Sequence, residues 1–216
     1  MDLDIYQDLI CPWCFIGKRR LDRALAQRPD LRIGLRWRPF QLNPGMPREG
    51  MDRATYLTAK FGGEARARQV YAAITETAAR DGLTFALDRI GRTPNTLDAH
   101  RLVDWAVAEG VSPTEIIDAL YTAYFVEARD IGAVDTLADI AASRGLDRTR
   151  ALAHLASQDG TDTVRAMDAQ ARRMGIRAVP CFVFDGRYAL SGAQEPQAFL
   201  PLFDLAVAGV QMAAAR

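Results

Sequence analysis

Histidine and cysteine are scarce in this chain, which has two histidines and three cysteines among its 216 residues. A zinc site would need a fourth ligand beside the three cysteines, and the histidines, His100 and His154, lie in predicted helices without paired spacing. We therefore predict no metal site. His100 is interpreted as a helix residue whose hydrogen bonds are satisfied, and His154 as a surface residue.

The chain also lacks long apolar runs and an excess of charge of either sign. No apolar stretch reaches the length of about 18 residues that is typical of a membrane span, and Met1 is followed by Asp2 instead of a signal peptide's basic and apolar regions. Lys+Arg and Asp+Glu are both 27, which argues against nucleic acid or a membrane as partner. We expect a cytoplasmic protein, and in that reducing compartment a persistent structural disulfide is unexpected.

The length suits one domain of ordinary size or one domain with a large insertion. A buried strand is predicted over residues 2–9, a helix over 12–27 and an alternating strand over 31–37, which together form a βαβ opening. From about residue 51 to residue 174 the apolar pattern is almost wholly helical. It indicates five or six inserted helices, with at most a brief extended interruption at 84–87.

The last part of the chain returns to strands. Two apolar runs around an Asp-Gly pair at 185–186 predict a hairpin, because this pair tolerates the positive φ angles of a tight turn. A final helix is predicted to open at Glu195, and its apolar stripe indicates a face turned towards the core. Within the insertion, Ser112 and Glu115 carry the signature of a capping box at a helix start.

Two of the three cysteines, Cys11 and Cys14, enclose Pro12 and Trp13 at the junction between the first strand and the first helix. In an intracellular chain, a CxxC pair in a βαβ opening predicts a thioredoxin-like redox pair. The helix dipole and the free amides stabilise an anion, so we expect Cys11 to form a thiolate at lower pH than a free cysteine. Cys14 is predicted to be more buried and to attack the Cys11 sulfur once that sulfur has bonded to a substrate. Two buried structural cysteines are the alternative interpretation.

Four segments resemble the DsbA-like branch of the thioredoxin superfamily. The similarity is to its FrnE-type oxidoreductases and their relatives, the 2-hydroxychromene-2-carboxylate isomerases and kappa-class glutathione transferases. The segments span nearly the full chain and comprise residues 8–14, 37–44, 95–102 and 179–194. The resemblance implies an α/β protein, a thioredoxin-like fold with a large helical insertion domain.

The predicted domains are a discontinuous thioredoxin-like domain, 1–47 and 161–216, and a helical insertion domain, 48–160. The resemblance also implies a cis peptide bond between Val179 and Pro180 that faces Cys11, with the Val179 backbone available to pair with an extended substrate. Pro180 then joins Cys11 and Cys14 as a catalytic residue. The predicted substrate-binding residues are Pro12, Trp13, Val179 and Cys181.

Cys181 departs from the family pattern, in which an apolar or hydroxyl residue more often follows the proline. If this third thiol lies near the redox pair, it would be a resolving or regulatory group. Otherwise it is a small buried hydrophobe at the start of a core strand, which is the interpretation we favour. A bond between Cys181 and Cys11 would block substrate access.

These features predict a thiol-disulfide oxidoreductase that exchanges the Cys11–Cys14 pair with disulfide-containing proteins or low-molecular-weight thiols through a mixed disulfide. The alternative is a glutathione-dependent isomerase or transferase, although the related isomerases have serine where Cys11 stands. No tightly bound cofactor is expected. Glutathione would be a co-substrate, and the residues predicted to line its site are Asn43, Ser191 and Gly192. A redox-sensing module without catalysis and a homodimer are further hypotheses.

Overall fold

The computed structural model describes residues 1–214, apart from the side chains of Glu64 and of residues 209–214. Within this part of the chain, six strands form two sheets. A four-stranded sheet has the order β2-β1-β5-β6, and β3 pairs with β4 in a separate two-stranded sheet. The strands are β1 (Asp2–Gln7), β2 (Gly34–Pro39), β3 (Met51–Asp52), β4 (Arg92–Thr93), β5 (Cys181–Phe184) and β6 (Tyr188–Ser191).

Nine α-helices occur in the described residues, and seven of them lie between β2 and β5. None of the helices in residues 1–214 combines the length and the apolar character needed to cross a membrane. A π-helical segment, Thr122–Val126, continues the fifth helix, and a 3₁₀ turn, Pro196–Ala198, precedes the last. The helices are α1 (Pro12–Ala26), α2 (Arg53–Phe61), α3 (Glu64–Arg80), α4 (Leu97–Ala108), α5 (Pro113–Tyr121), α6 (Val134–Ser143), α7 (Arg148–Ala156), α8 (Thr161–Arg173) and α9 (Leu200–Ala214).

The order of pairing gives a βαβ unit followed by an antiparallel hairpin. β1 runs parallel to β2, with Ile5 opposite Trp37, and antiparallel to β5, with Ile5 opposite Phe182. β5 then pairs with β6 in the predicted hairpin. The predicted α/β architecture with a large helical insertion is therefore confirmed.

The two faces of the sheet belong to different cores because successive side chains of a strand point to opposite faces. On one face, Ile5 and Phe182 are buried with Phe199 and Phe203, which come from the end of the 3₁₀ turn and from α9. The rings of Phe182 and Phe199 meet edge to face at 4.9 Å, an arrangement worth about 0.5–1.5 kcal/mol beyond its area burial. The other face joins the core of the helical insertion.

Stacked aromatic rings connect α1 to the helical insertion. Phe15, directly after Cys14, stacks on Tyr121 at a centroid distance of 5.0 Å. Phe85 stacks on Phe125 at 5.1 Å and on Phe15 at 5.7 Å. The insertion therefore packs directly behind the start of α1, where the two cysteines lie.

Two local predictions, the start of β2 and the capping box of α5, are wrong. β2 begins at Gly34, three residues later than expected. Residues 84–87 form no strand; they are an irregular segment whose apolar side chains enter the core while the Ala86 amide donates to the Phe125 carbonyl at 2.7 Å. The capping box is absent at the start of α5, because the Ser112 side chain makes no capping hydrogen bond and its carbonyl accepts from the Glu115 amide instead.

Candidate redox site

Cys11 is the N-cap residue of α1, in an extended conformation with φ −93° and ψ 110°. Pro12 occupies the first helical position, where its missing N–H has no partner to lose. The Cys11 amide donates to the Asp8 carbonyl at 3.0 Å, and the Cys14 amide donates to the Cys11 carbonyl at 2.9 Å. The positive end of the helix dipole therefore lies at Cys11 and favours an anionic sulfur there.

Both cysteines of the pair are free thiols in this structure. Cys11 is 4% exposed and Cys14 2%, whereas Trp13 between them is 38% exposed. Burial raises the pKa of Cys14 well above its usual value, and the hydrogen bond to Cys11 and the nearby Cys11 charge raise it further. Cys14 therefore holds its proton at neutral pH until something removes it.

The Val179–Pro180 peptide bond is cis. The Cys11 sulfur lies 3.6 Å from the Val179 carbonyl oxygen, so that the thiol and the backbone before Pro180 are in contact. The Gly192 amide donates to the Pro180 carbonyl at 2.8 Å and fixes the other side of this turn. The structure thus brings together Cys11, Cys14, Val179 and Pro180.

Gly17 is a site residue that the sequence reasoning missed. A Cβ at this position would lie 2.9 Å from Pro180 Cγ and 3.3 Å from Phe182 Cζ, so only glycine lets α1 approach Pro180 this closely. Glycine in a helix interior destabilises the helix by about 1 kcal/mol relative to alanine. A glycine three residues after Cys14, inside a predicted helix, therefore indicated a close packing contact at Gly17.

We expect Gly17→Ala to destabilise the protein by about 1–3 kcal/mol, because the added methyl group pushes α1 away from Pro180. The measurement is the free energy of unfolding by chemical denaturation. Gly91→Ala is the matched control, since its added Cβ would meet nothing within 4 Å. Equal stabilities of the two variants would contradict the close approach of the helix.

Cys181 is the first residue of β5, directly after Pro180, and it belongs to the same buried cluster as Cys11 and Cys14. Phe182 and Pro180 face Gly17 on α1, and alternation along β5 turns Cys181 to the opposite face of the sheet. There its sulfur lies 3.9 Å from the Ser191 hydroxyl. Burial raises the pKa of Cys181, while the hydrogen bond with Ser191 lowers it. Among the described residues, the polar partner of the Cys181 sulfur is thus Ser191.

Of the three residues predicted to line a glutathione site, Asn43 lies at a different cleft from the adjacent pair Ser191 and Gly192. The Asn43 side chain donates to the Tyr56 hydroxyl at 3.2 Å, at a mainly apolar cleft of ≈ 620 Å³ that Lys60 also lines. Ser191 is exposed at a different cleft, of ≈ 440 Å³, on the Cys181 side of the sheet. Gly192 lies beside Pro180, with φ +82°.

Asp8 and His100 were also missed, and both lie in the interior. Asp8 is fully buried and its Oδ2 accepts from the Leu42 amide at 2.6 Å. Its Oδ1 lies 3.6 Å from Nε2 of His100, which is 2% exposed, and neither atom has a hydrogen-bond partner among the described residues. The interpretation of His100 as a satisfied residue is therefore wrong. An acid among apolar residues three positions before Cys11 was the available signal.

The surface assignment of His154 is wrong as well. The residue is only partly exposed, and its ring stacks on Trp105 at a centroid distance of 5.5 Å. Its Nε2 is buried without a partner among the described residues. Burial is also the main cause that lowers the pKa of His154.

Two cysteines at the start of the first helix, the first of them in contact with the residue before a cis-proline across the sheet, are an arrangement of the thioredoxin-like fold. The chain belongs to the family of the DSBA-like thioredoxin domain, whose model matches residues 2–203. The predicted membership of the DsbA-like branch is thereby confirmed. Members of this family are disulfide oxidoreductases, and isomerases are also found among them.

Two similar proteins were found at 25% identity or more. The uncharacterized protein YwbO of Bacillus subtilis (strain 168) is 25% identical over 145 residues, which are 67% of this chain and 66% of YwbO, just under two thirds of that relative's length. The structure described as the probable DsbA oxidoreductase SCO1869 from Streptomyces coelicolor is 32% identical. It superposes with a TM-score of 0.86 over 96% of this chain and 90% of that one.

More distant structures share the fold. A 2-hydroxychromene-2-carboxylate isomerase is 15% identical, with a TM-score of 0.68 over 100% of this chain and 98% of its own. The cytosolic disulfide reductase DsbM from Pseudomonas aeruginosa is 19% identical, with a TM-score of 0.65 over 100% of this chain and 99% of its own. Both oxidoreductase and isomerase relatives therefore use this architecture, which fits a FrnE-type placement.

Proposed function

We propose that this protein is a thiol-disulfide oxidoreductase that exchanges the Cys11–Cys14 dithiol with protein or small-molecule disulfides. The observation that carries the proposal is the placement of Cys11 at the N-cap of α1 with its sulfur 3.6 Å from the Val179 carbonyl. A thiolate in that position has a stabilising helix dipole and a backbone edge beside it for a substrate to bind. The family assignment supports the same reaction class.

The reaction proceeds in two exchanges. The Cys11 thiolate attacks a substrate disulfide R–S–S–R, forms a mixed disulfide and releases one R–S⁻. Cys14 then loses its proton and attacks the Cys11 sulfur, which forms the Cys11–Cys14 bond and releases the second R–S⁻. The substrate gains two electrons that the protein loses; one proton of the two product thiols comes from Cys14 and the other from solvent, which received it when the Cys11 thiolate formed. An external dithiol or two low-molecular-weight thiols reverse the steps.

Substrate binding is assigned to the surface around the pair. The half-exposed Trp13 ring provides an apolar platform beside Cys11, with Pro12 next to it at the helix start. The Val179 backbone provides the pairing edge for an extended segment. Cys181, directly after Pro180, stays a predicted substrate contact. The predicted homodimer and the division into domains 1–47 with 161–216 and 48–160 stay predictions.

The proposed compartment is the cytoplasm. A reversible CxxC pair suits a reducing environment, where a permanent structural disulfide is rare. DsbM, which shares the fold, is described as cytosolic and as a disulfide reductase. Low-molecular-weight thiols are thus plausible substrates, and another structure of DsbM contains GSH.

A glutathione-dependent isomerase or transferase is the second candidate. The cleft of ≈ 620 Å³ favours it, because an apolar floor with Met46 and Met51 is combined with the polar groups of Asn43, Tyr56 and Lys60. In that reaction glutathione would be a co-substrate, and its thiol would do the chemistry in place of Cys11. The presence of both Cys11 and Cys14 favours the oxidoreductase over the isomerase or transferase.

The proposal is tested by equilibrating the protein in graded mixtures of reduced and oxidised glutathione, trapping free thiols and weighing the intact protein. We expect one two-electron transition that gives a single internal disulfide between Cys11 and Cys14. Cys181→Ala is the control and should show the same midpoint, because the described polar contact of the Cys181 sulfur is with Ser191. Glutathione binding without any internal disulfide would instead support the isomerase or transferase.

A further inference from the structure

Arg20 is a buried arginine on α1, the helix that carries both cysteines of the redox pair. It is 6% exposed, and its Nε donates to Oδ2 of Asp81 at 2.7 Å. Its Nη1 donates to the Ala193 carbonyl at 2.7 Å, and its Nη2 lies 2.9 Å from Oε1 of Glu195. Asp81 is the residue that ends α3, whereas Ala193 and Glu195 belong to the loop of residues 192–195 after β6. A single guanidinium therefore connects α1 to the helical insertion and to this loop.

The 192–195 loop is the segment that holds Pro180 in place. The Gly192 amide donates to the Pro180 carbonyl at 2.8 Å, and within the loop the Gln194 amide donates to the Gly192 carbonyl at 2.9 Å. Among the described residues, the hydrogen bonds and ion pairs between this loop and α1 are those of Arg20. The position of the loop relative to the cysteines therefore depends on Arg20.

Gly17 shows how closely α1 and this loop fit together. It precedes Arg20 by three residues, so both lie on one face of the helix. A Cβ on Gly17 would lie 2.9 Å from Pro180 Cγ and 3.5 Å from the Ala193 Cα. Contact at Gly17 thus sets the nearest approach of α1 to Pro180 and the loop, and the hydrogen bonds of Arg20 hold them at that distance.

The same spacing decides whether the reactive sulfur and the substrate-binding edge meet. Cys11 is the N-cap of α1, and its sulfur lies 3.6 Å from the carbonyl of Val179, the residue directly before Pro180. In the exchange proposed above, the Val179 backbone pairs with an extended substrate while Cys11 attacks its disulfide. A shift of Pro180 against α1 would move that edge relative to the sulfur, and such a misplacement lowers the rate even when the reacting groups are intact.

Neutralising Asp81 does not by itself account for Arg20. The other carboxylate oxygen of Asp81 pairs with Arg23, which also lies on α1, so the carboxylate keeps a cation without Arg20. A buried ion pair also need not add stability, because removing both charges from water costs about as much as their attraction gains. A planar guanidinium that bonds three partners in fixed directions is instead suited to hold chain segments in one relative position.

We propose that Arg20 is a positioning residue for the thiol-disulfide exchange. Through the 192–195 loop it holds Pro180, and with it the Val179 backbone, where an extended disulfide substrate can bind beside Cys11 and react. The proposal rests on the oxidoreductase function proposed above. Arg20 makes and breaks no covalent bond itself. Its loss therefore weakens the reaction with substrates that pair with the Val179 backbone and leaves the nucleophile intact.

The test compares three reagents on the Cys14→Ser variant, in which the reaction stops once Cys11 has reacted. Iodoacetamide reports the reactivity of the Cys11 thiolate. Bis(2-hydroxyethyl) disulfide reports exchange with a substrate that has no peptide backbone, and oxidised glutathione reports exchange with one that can pair with Val179. The rate of single addition is followed by intact mass. We expect Arg20→Gln to slow the reaction with oxidised glutathione about tenfold, the effect of losing one or two backbone hydrogen bonds, and to leave the other two rates unchanged.

Arg23→Gln is the matched control, because it removes a guanidinium from the same Asp81 carboxylate but, among the described residues, no hydrogen bond to the 192–195 loop. It should leave all three rates unchanged. Arg20→Lys decides the question if Arg20→Gln does not fold, since it keeps the charge beside Asp81. One ammonium cannot bond Asp81 and the loop as the planar guanidinium does, so this variant should show the same selective loss with oxidised glutathione, to a smaller extent.

Unchanged rates with oxidised glutathione in both Arg20 variants would overturn the proposal and leave the oxidoreductase standing. An equal loss with all three reagents would overturn it too, because Arg20 would then act only on the fold. The same selective loss in Arg23→Gln would also count against it, since the effect would then belong to Asp81 and not to the loop. If the parent protein, with Cys14 present, forms no mixed or internal disulfide with either disulfide reagent, the proposed function itself fails.

Discussion

Cys11→Ser is expected to reduce disulfide exchange to the background rate. The thiolate is the group that attacks a disulfide, and a serine hydroxyl cannot replace it. Cys14 cannot take over, because it is 2% exposed and burial raises its pKa well above the usual value. The measurement is the rate at which reduced protein consumes oxidised glutathione, followed by intact mass.

Cys14→Ser should stop the reaction halfway. Cys11 would still attack, and the protein would accumulate with one glutathione attached, because the remaining thiol, Cys181, is buried and its sulfur contacts Ser191. Cys181→Ser should behave as the unmodified protein. Continued turnover in Cys11→Ser, or resolution in Cys14→Ser that is lost on adding Cys181→Ser, would show that the thiol roles are assigned incorrectly.

Much of the site could be predicted because its chemistry is encoded in short segments. Cys11 and Cys14 can be recognised as a redox pair from their spacing and from their position after an apolar strand. Pro12 is favourable in the first turn of a helix in any context. The apolar alternation of β1, β5 and β6 likewise determines which residues can pair. These signals act over a few residues and need no knowledge of the rest of the fold.

What could not be predicted depends on contacts across the chain. The approach of His100 to Asp8 joins α4 to the loop after β1, and no local pattern specifies it. Gly17 acquires its meaning only when Pro180 packs against it. The prediction of a capping box was wrong for a related reason. Ser112 and Glu115 have the right spacing, but the Ser112 side chain makes no capping hydrogen bond. Local sequence patterns indicate which hydrogen bonds and contacts are possible, and packing across the chain decides which of them form.

Arg101→Ala is expected to destabilise the protein by about 3–5 kcal/mol, the usual cost of breaking a buried ion pair by removing one partner. Arg101 is 1% exposed, and its guanidinium pairs with Asp98 at 2.6 Å. It also donates to carbonyls that end α7 and precede α8, and alanine would leave these buried acceptors unpaired. The carbonyls are those of His154, Leu155, Ser157 and Asp159.

The measurement for Arg101 is the free energy of unfolding together with the melting temperature, which falls by roughly 2–4 °C per kcal/mol for a chain of this size. Arg150→Ala is the matched control, because Arg150 also joins α7 to the end of α4, through Glu109 at 2.7 Å, but lies exposed. An exposed pair contributes about 0–1 kcal/mol. Arg101→Lys should recover only part of the loss, since a single ammonium cannot reach all the acceptors that the planar guanidinium bonds. Losses of equal size at positions 101 and 150 would mean that the buried guanidinium does not hold α4 to α7, and the helix that carries His100 and Asp104 would then be secured by its apolar face alone.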